Sequence, residues 1–246
     1  DAPGDMLWVI DMCQFRAARS LVHELIDLNA MVMITGSKFY QAPPFCGALL
    51  VPKDITARFN YYRREDIEPF TNIFSKYDIP ECLPELRNHF REYENEGLVL
   101  RWESAIHEIK AMSSYKTYTV LSGISKWNDF VVNQLQQYPA HFELMPDQDL
   151  TNKTIISFRM KNAEGQYLDD TALREVYKDI TLNQHDGFGE ATRVIIGQPV
   201  KYTDRSFIRL ALGAGDLRLL LDTDFDLAKD ERLVALIKES LEKLYW

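Results

Sequence analysis

Met6-Leu7-Trp8-Val9-Ile10 is a continuous apolar run, the pattern of a strand buried on both faces. Behind it Phe15, Ala18, Leu21, Val22, Leu25 and Ile26 recur at helical spacing, with Arg16, Arg19, Glu24 and Asp27 on the opposite face. That spacing predicts an amphipathic helix. Ala30 to Ile34 is a second apolar run. Strand, helix, strand in this order requires a parallel pair joined by a right-handed crossover. Asp11 and the segment Thr35-Gly36-Ser37-Lys38 therefore close neighbouring strands at the same carboxyl edge, where open α/β sheets hold their ligands.

Pro43-Pro44 forces a turn, and Phe45 to Val51 predicts a third strand stopped by Pro52. The connection is too short for another crossover helix, so this strand is expected to run antiparallel. Residues 66–140 read as mostly helical, most clearly over Leu98 to Met112. The texture changes at Met145-Pro146-Asp147, after which Thr154 to Met160 predicts a strand. A helix follows with Asp169 or Asp170 as its N-cap. Arg193 to Ile196 and Phe207 to Leu212 are further strand candidates, and Asp230 to Leu244 predicts an amphipathic closing helix. The expected division is an α/β part over residues 1–144 and a smaller α+β domain over 145–246.

Composition narrows the function classes. With 246 residues, 46% hydrophobic, the chain is long enough to bury a core without disulfides or a structural metal. The three cysteines, Cys13, Cys46 and Cys82, have no metal-like spacing and read as reduced thiols of a cytoplasmic protein. A net charge of −9 argues against nucleic acid or an anionic membrane as partner. No apolar stretch reaches the ~20 residues that span a bilayer. The five histidines lack a metal-binding pair, so no metal is expected.

Lys38 alone would be a surface lysine, and Asp11 alone the cap of the following helix. Together at one sheet edge they could form a plain salt bridge or hold the two ends of a pyridine ring. The string VIDMCQ, then a helix, then ITGSKFYQAPPFCGALLV resembles the cofactor segment of fold-type I pyridoxal-phosphate enzymes, nearest the class V aminotransferase and cysteine desulfurase branch. The match covers about 50 residues and places Asp11, Gln14 and Lys38 on the family's motif. The resemblance implies a mostly parallel sheet with helices on both faces, followed by a small α+β C-terminal domain.

It also implies a cofactor, pyridoxal 5'-phosphate, bound as a Schiff base to Lys38. Asp11 would keep the pyridine nitrogen protonated, and Gln14 would donate to the ring hydroxyl oxygen. Thr35 and Ser37 fall where the family contacts the phosphate, although the branch often has His immediately before its lysine and this chain has Ser37. Local turn bonding is the bland alternative for both hydroxyls. Arg209, in SFIRLALG, resembles the family's arginine for the substrate carboxylate, a pairing that guanidinium geometry suits.

Taken so, the chain is expected to be the C-terminal half of a longer or split transferase or lyase, working as a homodimer on an amino acid. Most of the large-domain sheet and the phosphate-cradling turn would come from a missing N-terminal half. Transamination, β-elimination and decarboxylation stay open. Cysteine desulfurase chemistry is disfavoured, because no cysteine follows Cys82. The alternative is a noncatalytic interaction module that retains the fold.

Overall fold

The computed structural model describes residues 6–14, 19–56, 63–146, 153–188 and 194–246. Their packing forms two compact units, Asp1–Ser114 and Tyr115–Trp246. In the first, β1 (Val9–Met12) leads through α1 (Arg19–Asp27) to β2 (Met31–Thr35) and β3 (Gly47–Leu50). The order across the sheet is β1-β2-β3, with β1 and β2 parallel and β3 antiparallel to β2, as the connection lengths require. Phe15 and Ala18, assigned to the first helix from its spacing, lie outside the described residues. Short helices α2 (Lys53–Thr56), α3 (Arg64–Ile67) and α4 (Pro84–Arg87) precede the long α5 (Glu96–Ser113). Asn95 caps α5 by accepting from the Leu98 backbone N–H.

One expectation about this sheet is corrected. β1 is not buried on both faces: Trp8 is 61% and Val9 48% exposed, because β1 is the edge strand of the described sheet. Val32 and Ile34 of the central strand are buried, whereas Met33 and its antiparallel partner Leu49 face outward. Strand alternation puts Asp11, registered with Met33, on that same open face.

The second unit begins with the long helix α6 (Thr117–Gln136), which packs on the strands and helices that follow it. The packing therefore divides the chain earlier than the change of texture near Met145. Four antiparallel strands follow in spatial order β4-β5-β7-β6: β4 (Phe142–Leu144), β5 (Ile155–Met160), β6 (Gly197–Tyr202) and β7 (Arg205–Ala211). The Arg193 to Ile196 strand is also corrected. Pairing begins at Gly197; Val194 and Ile196 are buried outside any ladder, and Arg193, like Asp147 and Gly189, lies outside the described residues.

The other helices of this unit are α7 (Asp170–Leu182), α8 (Ala214–Asp222) and α9 (Ala228–Tyr245). Asp169 is the N-cap of α7, accepting from the Ala172 N–H at 2.8 Å. Alternation along β5 and β7 buries Ile156, Phe158, Met160, Ile208 and Leu210 in one core with Leu173, Val176 and Ile180 of α7 and Ile237 and Leu241 of α9. Each such side chain contributes about 1.5 to 3 kcal/mol by leaving water. No described helix is long and apolar enough to cross a membrane.

A polar clasp adds to the apolar contact between α7 and α9. Asp179 accepts from Ser240 at 2.8 Å and from Lys243 at 2.6 Å. Burial raises its pKa, but the bonds from Lys243 and Ser240 outweigh that and hold it below its ordinary 3.8. A depressed folded-state pKa gives stability that is present above the unfolded-state pKa and lost as pH falls through the folded one. Asp179→Ala is expected to destabilise the protein by about 1 to 3 kcal/mol at neutral pH. Urea melts should show the difference from wild type shrinking as pH falls below about 4.

Candidate functional site

The register Val9↔Met31 through Met12↔Ile34 brings the carboxyl ends of β1 and β2 side by side. Asp11 stands on β1, and Cys13 and Gln14 form the turn beyond it. Gly36, Ser37 and Lys38 leave β2 at the same edge. The Thr35 hydroxyl donates to the Cys13 carbonyl at 3.0 Å, which ties the two strand ends together.

Asp11 does not cap the described part of α1. Its Oδ1 accepts from the Cys13 N–H at 2.8 Å, an Asx-type turn that aims the carboxylate along the sheet edge. The Cys13 thiol and then the Cys13 N–H hold the Asp11 carboxyl below its ordinary 3.8 against the cost of desolvation, and the positive charge of Lys38 acts in the same direction. The same bond and charge raise the Cys13 thiol, together with its burial, so Cys13 is a donor to the carboxylate and not a thiolate nucleophile. Lys38 and Asp11 thus feel each other through space without closing a direct ion pair. Both are exposed, so the sheet edge presents an anion and a cation to solvent.

Lys38 is presented by a closed loop. Gly36 donates to the Cys46 carbonyl at 2.9 Å, Ala42 to the Gly36 carbonyl at 3.0 Å and Gln41 to the Lys38 carbonyl at 3.1 Å. Phe39, Ala42 and Cys46 are buried beneath the lysine, and burial keeps the Cys46 thiol and Tyr40 phenol protonated. Cys46 is the buried small residue that its apolar strand context predicts. Helix α5 packs Ala105 and Trp102 against Cys46 and Ala42, and the Trp102 indole donates to the Gly47 carbonyl at 3.4 Å. That packing dictates the glycine. A Cβ on Gly36 would lie 2.3 Å from the Ala105 Cβ and 2.9 Å from the Cys46 sulfur.

The other expected site residues are placed as follows. Gln14 is exposed on the turn after Cys13. Thr35 has its one hydroxyl proton committed to Cys13, and Ser37 lies beside it with its hydroxyl 3.5 Å from the Thr35 oxygen. Arg209 belongs to the second unit. It is half-buried on the inner strand β7, opposite Ser157 and Gly197, and so is not an edge residue. Sequence reasoning missed Cys13, whose signal was an Asp-x-Cys step at the end of a strand, and Ala105, which no pattern in its helix singles out.

No protein-family profile matches the chain, and no curated protein is significantly similar to it. Among solved structures, mouse CSAD, a pyridoxal-phosphate-dependent decarboxylase, matches with a TM-score of 0.50 at 12% identity. The match covers 97% of this chain and 46% of that one, so the chain spans about half the length of the structure it resembles. At this identity the likeness is one of fold: an α/β arrangement shared with part of such a decarboxylase.

The Gly36 contact generates a prediction. Gly36→Ala must push the Lys38 turn away from α5, since neither Ala105 nor the buried Cys46 can swing aside. The variant is expected to lose about 1 to 3 kcal/mol of stability. Amide shifts should move in residues 36–46 while those of β4 to β7 stay in place. Unchanged stability and spectra in Gly36→Ala would show that α5 does not brace the turn.

Proposed function

We propose that the chain is part of a pyridoxal-phosphate-dependent lyase that decarboxylates an amino acid. The observation that carries this reading is the arrangement of Asp11 and Lys38: a carboxylate held ionised and an amine at one carboxyl edge, near enough to interact and not joined. The fold shared with mouse CSAD supports decarboxylation over the transamination that the class V resemblance suggests.

When bound, the cofactor supplies a pyridinium ring that accepts the electron pair released at the substrate Cα. The residues of this chain do the rest. Asp11, kept anionic first by the Cys13 thiol and N–H, holds a proton on the ring nitrogen. The buried anchors under the Lys38 loop limit the positions its amine can take, which lowers the entropic cost of meeting the cofactor aldehyde. Ser37 is the hydroxyl available to the phosphate, while Thr35 acts through the strand ends it joins. Gln14 serves the ring oxygen and Arg209 a substrate carboxylate.

The proposal includes further polypeptide, from the same or a separate chain, along β1. Trp8 and Val9 on that edge, and Met33 and Leu49 on the open face, are apolar and exposed. Unpaired edges of this kind are covered in working enzymes. A homodimer of the completed unit is part of the same reading.

The test is covalent. Protein loaded with pyridoxal phosphate, together with any polypeptide that covers β1, is reduced with borohydride and digested. The adduct is expected on Lys38. An adduct on Lys53 or Lys110, or no adduct, would overturn the proposal and favour a noncatalytic module.

A further inference from the structure

The second unit contains a cavity of about 430 Å³ that the proposed chemistry does not use. Its walls come from three places: Arg159 on β5, Tyr167 and Asp169 ahead of α7, and Lys201, Asp204 and Ser206 on the β6–β7 hairpin. The volume falls in the range of roughly 300 to 1,000 Å³ typical of small-molecule sites.

The polar groups of the lining carry both signs. The Arg159 guanidinium lies 3.4 Å above the centre of the Tyr167 ring, and its buried Nε has no hydrogen-bond partner. Tyr167 is a fixed platform, because its phenol donates to Glu143 at 2.5 Å. Lys201 adds a second cation to the lining. Asp204, on the same hairpin as Lys201, is held ionised first by the Thr203 hydroxyl and then by its own backbone N–H, with the charges of Arg205 and Arg159 acting in the same sense. Asp169 uses Oδ1 to cap α7. Asp170 is neutralised by Arg174 at 2.8 Å and leaves the balance unchanged.

A simple anion entering here meets Asp204 and Asp169, and a simple cation meets Arg159 and Lys201. Only a molecule carrying both charges pairs with groups of both signs. We infer that this cavity binds a small free α-amino acid as its zwitterion, carboxylate toward Arg159 and Lys201 and ammonium toward Asp204 and Asp169. The stacked guanidinium is suited to the carboxylate, since one face is already occupied by Tyr167 and its in-plane N–H groups remain the donors. All of these residues belong to the second unit, and the inference does not depend on the cofactor.

The test is saturation-transfer NMR on the full chain with L-alanine as probe. Acetate and ethylammonium serve as half-ligands, and inorganic phosphate as an anion control. Lys38→Ala provides a background in which the proposed cofactor site is disabled. Alanine binding is expected to saturate, to persist in Lys38→Ala, and to weaken at least ~10-fold in Lys201→Met and in Asp204→Asn. Both of those side chains are exposed, so the variants should fold, which circular dichroism checks. Each half-ligand should bind at least ~10-fold more weakly than alanine. No saturable alanine binding, equal binding by acetate or phosphate, or binding unchanged in both hairpin variants would overturn the inference. Loss of alanine binding in Lys38→Ala would also overturn it, by moving the amino acid to the other site.

Discussion

The parallel pairing of β1 with β2 is the constraint on which the site depends. A crossover helix between two short strands leaves one register in which apolar Val32 and Ile34 face inward, and that register sets the ends of both strands at one edge. A slip of one residue would turn every side chain to the opposite face. Asp11 would then leave the open side of the sheet. The bond from Thr35 to the Cys13 carbonyl locks this register at its carboxyl end, using side-chain chemistry where the backbone ladder runs out.

Electrostatics and packing then divide the work around that edge. Asp11 depends on its neighbour two residues on, because Cys13 donates to the carboxylate and keeps it charged. Lys38 depends on a more distant element: α5 reaches the loop through Ala105, and only glycine fits at position 36 beneath it. The second unit has its own logic, an antiparallel sheet with one mostly apolar face buried by α6 and α7, on which α9 packs in turn. Its other face is left for half-buried polar residues, Ser157, Arg159 and Arg209 among them.

Much of this is legible in the residues. The helix–strand alternation predicts the parallel pair, the short Pro43-Pro44 connection predicts the antiparallel third strand, and the spacing of Leu98 to Met112 predicts α5. What periodicity reports is the number of apolar faces, not what covers them, so β1 reads as buried although its edge is open. β4 is only three residues, too short for alternation to register. α8 follows Gly213, an N-cap with no side chain to accept a hydrogen bond, so only a weak start signal precedes it. Val194 and Ile196 look like a strand because they alternate and are buried, yet the hydrogen-bonded ladder starts at Gly197, which lies against Arg209 where a Cβ would be 2.7 Å from its carbonyl oxygen. In the site, Asp11 and Lys38 follow from topology, whereas the role of Cys13 rests on an Asx turn that no periodic pattern encodes.

The central claim is that one sheet edge holds a pyridine ring between an ionised carboxylate and an amine. The most direct measurement is the nitrogen-15 chemical shift of ring-labelled pyridoxal phosphate bound to the wild-type protein and to Asp11→Asn. The account predicts a protonated ring nitrogen in the wild type at neutral pH and loss of that proton in Asp11→Asn, with the cofactor still bound. A shift that is the same in both proteins would mean that Asp11 does not face the ring, and would contradict the account.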